Sequence, residues 1–195
     1  MQKHYAEFAR ALDDGDFTET EGGILIKSGG PMARGRYFTK IDGEIVTLGT
    51  NKVPLQGLKY FIDVGIKDAT KQTAFYMALY SAATNPLDSW TAANFASNAT
   101  EIVSPTEGYS NATRPAWVPG AIAAEAAKVD NLGDLATYNI VCTTSINISG
   151  AAILTSNTKG GTSGILISAA RFDSPHTVNN GSTFELGYEL ELQDI

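Results

Sequence analysis

FELGYELEL, Phe184 to Leu192, alternates apolar and polar residues without a break. Successive side chains of a strand point to opposite faces. The period of two therefore puts Phe184, Leu186, Tyr188, Leu190 and Leu192 on one face, and Glu185, Gly187, Glu189 and Glu191 on the other. Fully burying one such apolar side chain is worth about 1.5–3 kcal/mol before entropy is counted. The stretch is expected to be a strand over 182–193, with an acidic row facing solvent or a partner. Asn179-Asn180-Gly181 is a turn that feeds it.

The same grammar extends upstream. Strands are expected at 136–143, 146–155 and 163–171, with Thr158 to Gly164 as a connecting loop. Asp42-Gly43 sits between candidate strands 35–41 and 44–48 and is a strong tight-hairpin signal. Thr73 to Tyr80, rich in aromatic and apolar residues, suits a buried strand, and Asn85-Pro86 breaks the chain after it. Leu58 to Ile66 fits a helix and a strand equally. Asn94, Phe95 and Ala96 suggest a helical turn, Thr100 to Val103 a short strand, and Ser104 to Pro119 a long ordered loop. Short strands separated by Gly, Asn and Pro turns imply a mainly β fold, a jelly-roll or β-sandwich core over 35–195.

Residues 1–34 read differently. Tyr5, Phe8, Ala9 and Leu12 share one helical face, and Asp13-Asp14-Gly15 ends the pattern. A Gly-rich stretch follows, around the apolar run Ile24-Leu25-Ile26. The expectation is a short N-terminal helix and an extended arm.

Composition narrows the function classes. Only 18% of the 195 residues are charged, and the formal charge is −7. An acidic chain repels a phosphate backbone, so no nucleic-acid partner is expected. The densest basic stretch, Lys27, Arg34, Arg36 and Lys40, reads as a solvated strand face. Residues 1–10 lack the apolar run of a secretory leader, and no run of 18 apolar residues is present, so no membrane partner is expected. Cys142, the one cysteine, lies in an apolar run and reads as a buried, inert thiol.

Residues that carry chemistry are sparse. His4 lies in the arm, and His176 follows Pro175 in what reads as a turn. Two such histidines do not make a metal site by spacing, and Asp173, Ser174 and His176 are too close in sequence to align as a triad. Gly160-Gly161-Thr162-Ser163-Gly164 lacks the Gly-Lys-Ser/Thr ending of a phosphate loop and reads as a turn. Glu189 and Glu191 share a strand face, yet belong to a regular acidic row. No catalytic residue, metal ligand or cofactor is expected.

Three stretches resemble structural proteins of tailed-bacteriophage virions: NKVPLQGLKYFIDVGI (51–66), FYMALYSAATNPLDSWTAANFASNATEIVSPTEGYSNATRPAW (75–117) and SGAAILTSNTKGGTSGILISAARFDSPHTVNNGSTFELGYEL (149–190). The shared pattern is a PxxGL link, an aromatic-rich strand, WTAA.FA…E, a Y…A.RPAW loop and a closing alternating strand. The resemblance is greatest to capsid cement (decoration) proteins. It implies a sandwich or jelly-roll fold, location in the virion after synthesis in the host cytoplasm, and contact with a major capsid protein or other virion proteins. It also implies a homo-oligomer on the particle. A head–tail or tail-associated protein forming a ring or trimer is the second reading, and a carbohydrate-binding module the third. Tyr5, Phe8, Leu12, Trp90, Tyr109 and Trp117 are the candidate contact residues, since aromatic anchors commonly dominate interfaces.

Overall fold

The computed structural model describes residues 17–19, 25–27, 31–123 and 127–194. The proposed helix over 2–13, with Tyr5, Phe8 and Leu12, lies outside the described residues. The chain divides into two compact units, Met1–Ala33 with Leu192–Ile195, and Arg34–Glu191. In the first, β1 (Phe17–Glu19) pairs antiparallel with β2 (Leu25–Lys27).

The protein is mainly β. Strands β3 (Pro31–Ile41) and β4 (Glu44–Thr50) form the hairpin signalled by Asp42-Gly43. Both turn residues have positive φ, 47° and 95°, the backbone that a two-residue turn matched to strand twist requires. The remaining strands are β5 (Phe75–Tyr80), β6 (Gly108–Tyr109), β7 (Ala116–Trp117), β8 (Lys128–Asp130), β9 (Ala136–Val141), β10 (Ser145–Leu154), β11 (Leu166–Asn179) and β12 (Thr183–Asp194). One sheet runs β11-β10-β5-β7, and the other β4-β3-β12-β9-β6, with β8 also paired to β12. Asn131, between β8 and β9, bridges the gap beside β12: its Oδ1 accepts the Tyr188 N–H at 2.8 Å.

The two sheets pack face to face as a sandwich. Met77, Leu79, Ala151, Ile153, Ala170 and Phe172 of the four-stranded sheet meet Tyr37, Tyr138, Phe184, Leu186 and Tyr188 of the larger one. Hydrogen bonds cross the seam from the Tyr138 hydroxyl to the Met77 carbonyl (2.8 Å) and from the Trp117 indole to the Tyr188 carbonyl (3.2 Å). Three of the five apolar residues of the alternating stretch, Phe184, Leu186 and Tyr188, are fully buried, Leu190 is half-buried, and Leu192 is exposed.

A second layer covers the outer face of the four-stranded sheet. Two helices are described, α1 (Leu55–Gly65) and α2 (Ala92–Ala99). Leu58 to Ile66 is thus helical. Phe95, Ala92 and Ala99 of α2 pack with Trp90 on Ala78, Tyr80, Ala152, Leu154 and Ala169. The small alanines on both sides let helix and sheet approach closely. Because β5 and β10 are covered on both faces, they read as continuous apolar runs rather than alternations. Gln56 of α1 joins the layers: its Oε1 accepts the Ala92 N–H at 2.9 Å and the Leu166 N–H at 2.8 Å.

Two local expectations need correction. Thr100 to Val103 is not a strand; Glu101 alone bridges Tyr80, and Thr100 closes α2 in the left-handed region, φ 52°. His176 lies inside β11, opposite Ile148, and not in a turn. Pro175 beside it is accommodated by a register shift on the outer strand of its sheet, where a missing N–H is tolerated.

Candidate functional site

Trp90, Tyr109 and Trp117 are interior residues. Trp90 is 1% exposed and packs edge-on against Tyr80 and Phe95. Trp117 fits between Phe75 and Tyr188. Tyr109 is fully covered and stands edge-on to Tyr138. In this fold their rings are committed to the chain's own core, and they form no exposed platform for a sugar ring or a partner.

The long 104–119 segment is fastened by a buried ion pair that no local spacing announces. Arg114 donates from Nε and Nη2 to the two carboxylate oxygens of Glu101, each at 2.7 Å, with both side chains at 0% exposure. The Arg114 Nη1 reaches the Ser156 carbonyl at 2.8 Å, and its N–H reaches the Asn157 carbonyl at 2.8 Å. The Gly160 N–H donates to Glu101 Oε2 at 3.0 Å. The Gly-rich loop thus turns a backbone donor toward an internal carboxylate. Lys159 lies 4.0 Å from the centre of the Tyr109 ring and donates to the carbonyls of Tyr109 and Asn111. The E of WTAA.FA…E and the R of RPAW are therefore partners, and the motif reads as a structural clamp.

The acidic row and the basic stretch also meet. Glu189 is buried and accepts from Arg36 at 2.5 Å and from Lys128 at 3.2 Å, while Lys40 lies 3.7 Å from Glu185. The expectation that Glu189 faces solvent or a partner fails, because β3 and β8 flank β12 and bring their cations over it. Burial pushes the Glu189 carboxyl up, but the Arg36 and Lys128 hydrogen bonds and charges outweigh it and hold the group below the ordinary glutamate value.

His176 packs its ring against Phe172 and Phe184, with Nε2 buried and without a hydrogen-bond partner. Burial lowers its pKa. Cys142 is a buried free thiol. Among the described residues no cluster of three or more His, Cys, Asp or Glu side chains is placed to hold a metal ion, and no helix is long and apolar enough to cross a membrane.

One part of the described surface is apolar. On α1, Leu55, Leu58 and Ile62 are 63, 39 and 56% exposed, Ile66 at its C-terminal end is 81% exposed, and Leu87 beside the helix start is also exposed. The opposite side of α1, Tyr60 with Phe61 and Val64, packs on the core. A shallow groove of about 300 Å³ lies along α1, lined by Tyr60, Asp63, Thr70, Gln72 and Ile165. A second, of about 450 Å³, lies between Ser81, Glu101, Val103, Glu107 and Asn147. Sequence reasoning missed the α1 surface because Leu58 to Ile66 fits a helix and a strand; the 3-4-4 spacing of Leu55, Leu58, Ile62 and Ile66 was the available signal. No protein-family model matches the chain, and no curated protein matches it.

Proposed function

We propose that this chain is a non-catalytic structural protein of a tailed-phage virion, a cement protein that stabilises the capsid shell through protein–protein contacts. The observation that carries this reading is the division of labour among its side chains. Several charged and aromatic groups are turned inward as fasteners, Arg114 on Glu101 above all. The large hydrophobic side chains left exposed among the described residues are aliphatic, and Leu55, Leu58 and Ile62 of α1, with Ile66 at its end, form one row of them. Such a surface suits association by buried apolar area. The resemblance of residues 51–66, 75–117 and 149–190 to virion proteins supplies the biological setting, with a major capsid protein or other virion proteins as partners.

Labelling of the protein in purified virions tests the reading. Many copies spread over the shell are expected. Label confined to one vertex overturns the cement role in favour of a head–tail protein, and unlabelled particles overturn the virion assignment.

A further inference from the structure

Ile146 and Ile148 of β10 and Val178 of β11 pack into the sandwich interior. His176 stands in the same row, opposite Ile148. Strand alternation calls for an apolar residue at that place, and the sequence puts an imidazole there. The ring lies 5.2 Å from Phe172 and 6.1 Å from Phe184, centre to centre, tilted by 52° and 51°. Its Nε2 is buried without a hydrogen-bond partner, although the residue as a whole is half-buried.

The ribbon that carries His176 is lightly held. β5 pairs with β10 only from Gly150 to Leu154, so Ser145–Ile148 and His176–Asn179 form a two-stranded overhang. A two-stranded ribbon is marginal by itself. At its inner end lies a large bulge, where Ser149 alone faces four residues of β11, Phe172 to Pro175. At its outer end the turns are tied together by Asn180, whose Oδ1 accepts the Cys142 N–H at 3.1 Å. Between these ends the ribbon rests on its inward side chains.

We propose that this ribbon is an acid-sensitive seam: a proton on His176 turns the ring out to solvent and lifts the ribbon off the sandwich, uncovering Ile146, Ile148 and Val178. The imidazolium carries a charge and two N–H donors, and the Phe172 and Phe184 rings offer Nε2 no acceptor. An unpaired charge is costly to bury, whereas a half-buried ring has a short way to water and the bulge gives the backbone slack. Among the described residues no carboxylate pairs with the ring. β10 holds no titratable side chain. Asp173 on β11 is exposed, and Tyr138 on β9 and Cys142 after it are buried in the same cluster. Asp42 accepts from Ser182 and Thr183, and Glu185 of β12 faces Lys40.

Burial lowers the His176 pKa from its ordinary 6.5. A lifted or unfolded ring, free of that burial, therefore binds the proton more readily than the packed one. The seam is at full strength above pH 6.5 and weakens as pH falls from there through the folded value.

An NMR pH titration of the full-length chain tests this, in a His4→Gln background that leaves one imidazole to observe. His176 is expected to titrate below 6.5. Amide exchange, corrected for its intrinsic pH dependence, is expected to show protection over Ile146–Ile148 and Thr177–Asn179 falling roughly threefold or more between about pH 8 and pH 5, while Met77 to Leu79 of β5 hold. His176→Phe keeps an apolar ring and abolishes the pH response of the ribbon. His176→Gln abolishes it as well, without the bulk of a phenyl ring. Titration at or above 6.5, a response that survives both variants, or a loss of protection shared equally by β5 overturns the proposal.

Discussion

Arg114 and Glu101 meet through two parallel hydrogen bonds of 2.7 Å, with neither side chain reaching solvent. The pair ties the end of α2 to the RPAW strand and, through the Ser156 and Gly160 backbone, to the loop between β10 and β11. Removing one partner of a buried pair leaves the other charge uncompensated. Glu101→Gln or Arg114→Met is expected to destabilise the fold by about 3–5 kcal/mol. The double variant should lose clearly less than the sum of the two. Urea unfolding of the four proteins in a double-mutant cycle measures the difference, and simple additivity would contradict the coupling.

Glu189 makes stability depend on acid. Its folded pKa lies below its unfolded value, so it binds fewer protons when folded. The stabilisation it gives is complete above the unfolded value, near 4.5, and is lost as pH falls through the folded one. Urea midpoints across that window should fall less steeply for Glu189→Gln than for the parent. Equal slopes would mean that Arg36 and Lys128 do not hold the carboxylate.

Two buried tyrosines should respond oppositely to loss of the hydroxyl. The Tyr138 hydroxyl donates across the sandwich to Met77, whereas the Tyr80 hydroxyl is buried without a partner. Tyr138→Phe is expected to cost about 0.5–1.5 kcal/mol. Tyr80→Phe should be neutral or stabilising, because it removes an unsatisfied group. Thermal unfolding of both variants distinguishes them.

Asn131 substitutes for a strand residue. Its side chain accepts from Tyr188 and donates to the Asp134 carbonyl at 3.1 Å. Asn131→Ala strands the Tyr188 N–H inside the protein, and a loss of about 1–3 kcal/mol is expected. Hydrogen exchange at Tyr188 should quicken while exchange at Leu79 on the other sheet follows global stability.

Much of the strand framework was legible because its signals are local. Asp42-Gly43 fixes a turn by backbone conformation alone, and Phe184, Leu186 and Tyr188 keep their alternation because they line the core face of β12. α1 was ambiguous for a physical reason: with Tyr60 and Val64 packed inward and Leu55, Leu58 and Ile62 exposed outward, apolar residues stand on two opposite faces and only a narrow flank with Lys59 and Asp63 is polar. The fastening of the 104–119 segment could not be read, since Arg114 and Glu101 lie 13 positions apart on different elements. Glu189 was misplaced because an alternating pattern separates two faces without telling which neighbouring strands bring cations. Residue type alone makes Trp90 and Trp117 candidate contacts, and it does not distinguish a surface aromatic from one that closes a core.

The outer margin of β11 has a further consequence. Lys52 pairs with Ala169 through two backbone hydrogen bonds near one end, and Pro175 interrupts the ladder near the other. At the far side of that sheet β7 is two residues long. Neither margin offers a long straight template for an incoming strand. Strand addition at either margin of that sheet is thereby disfavoured.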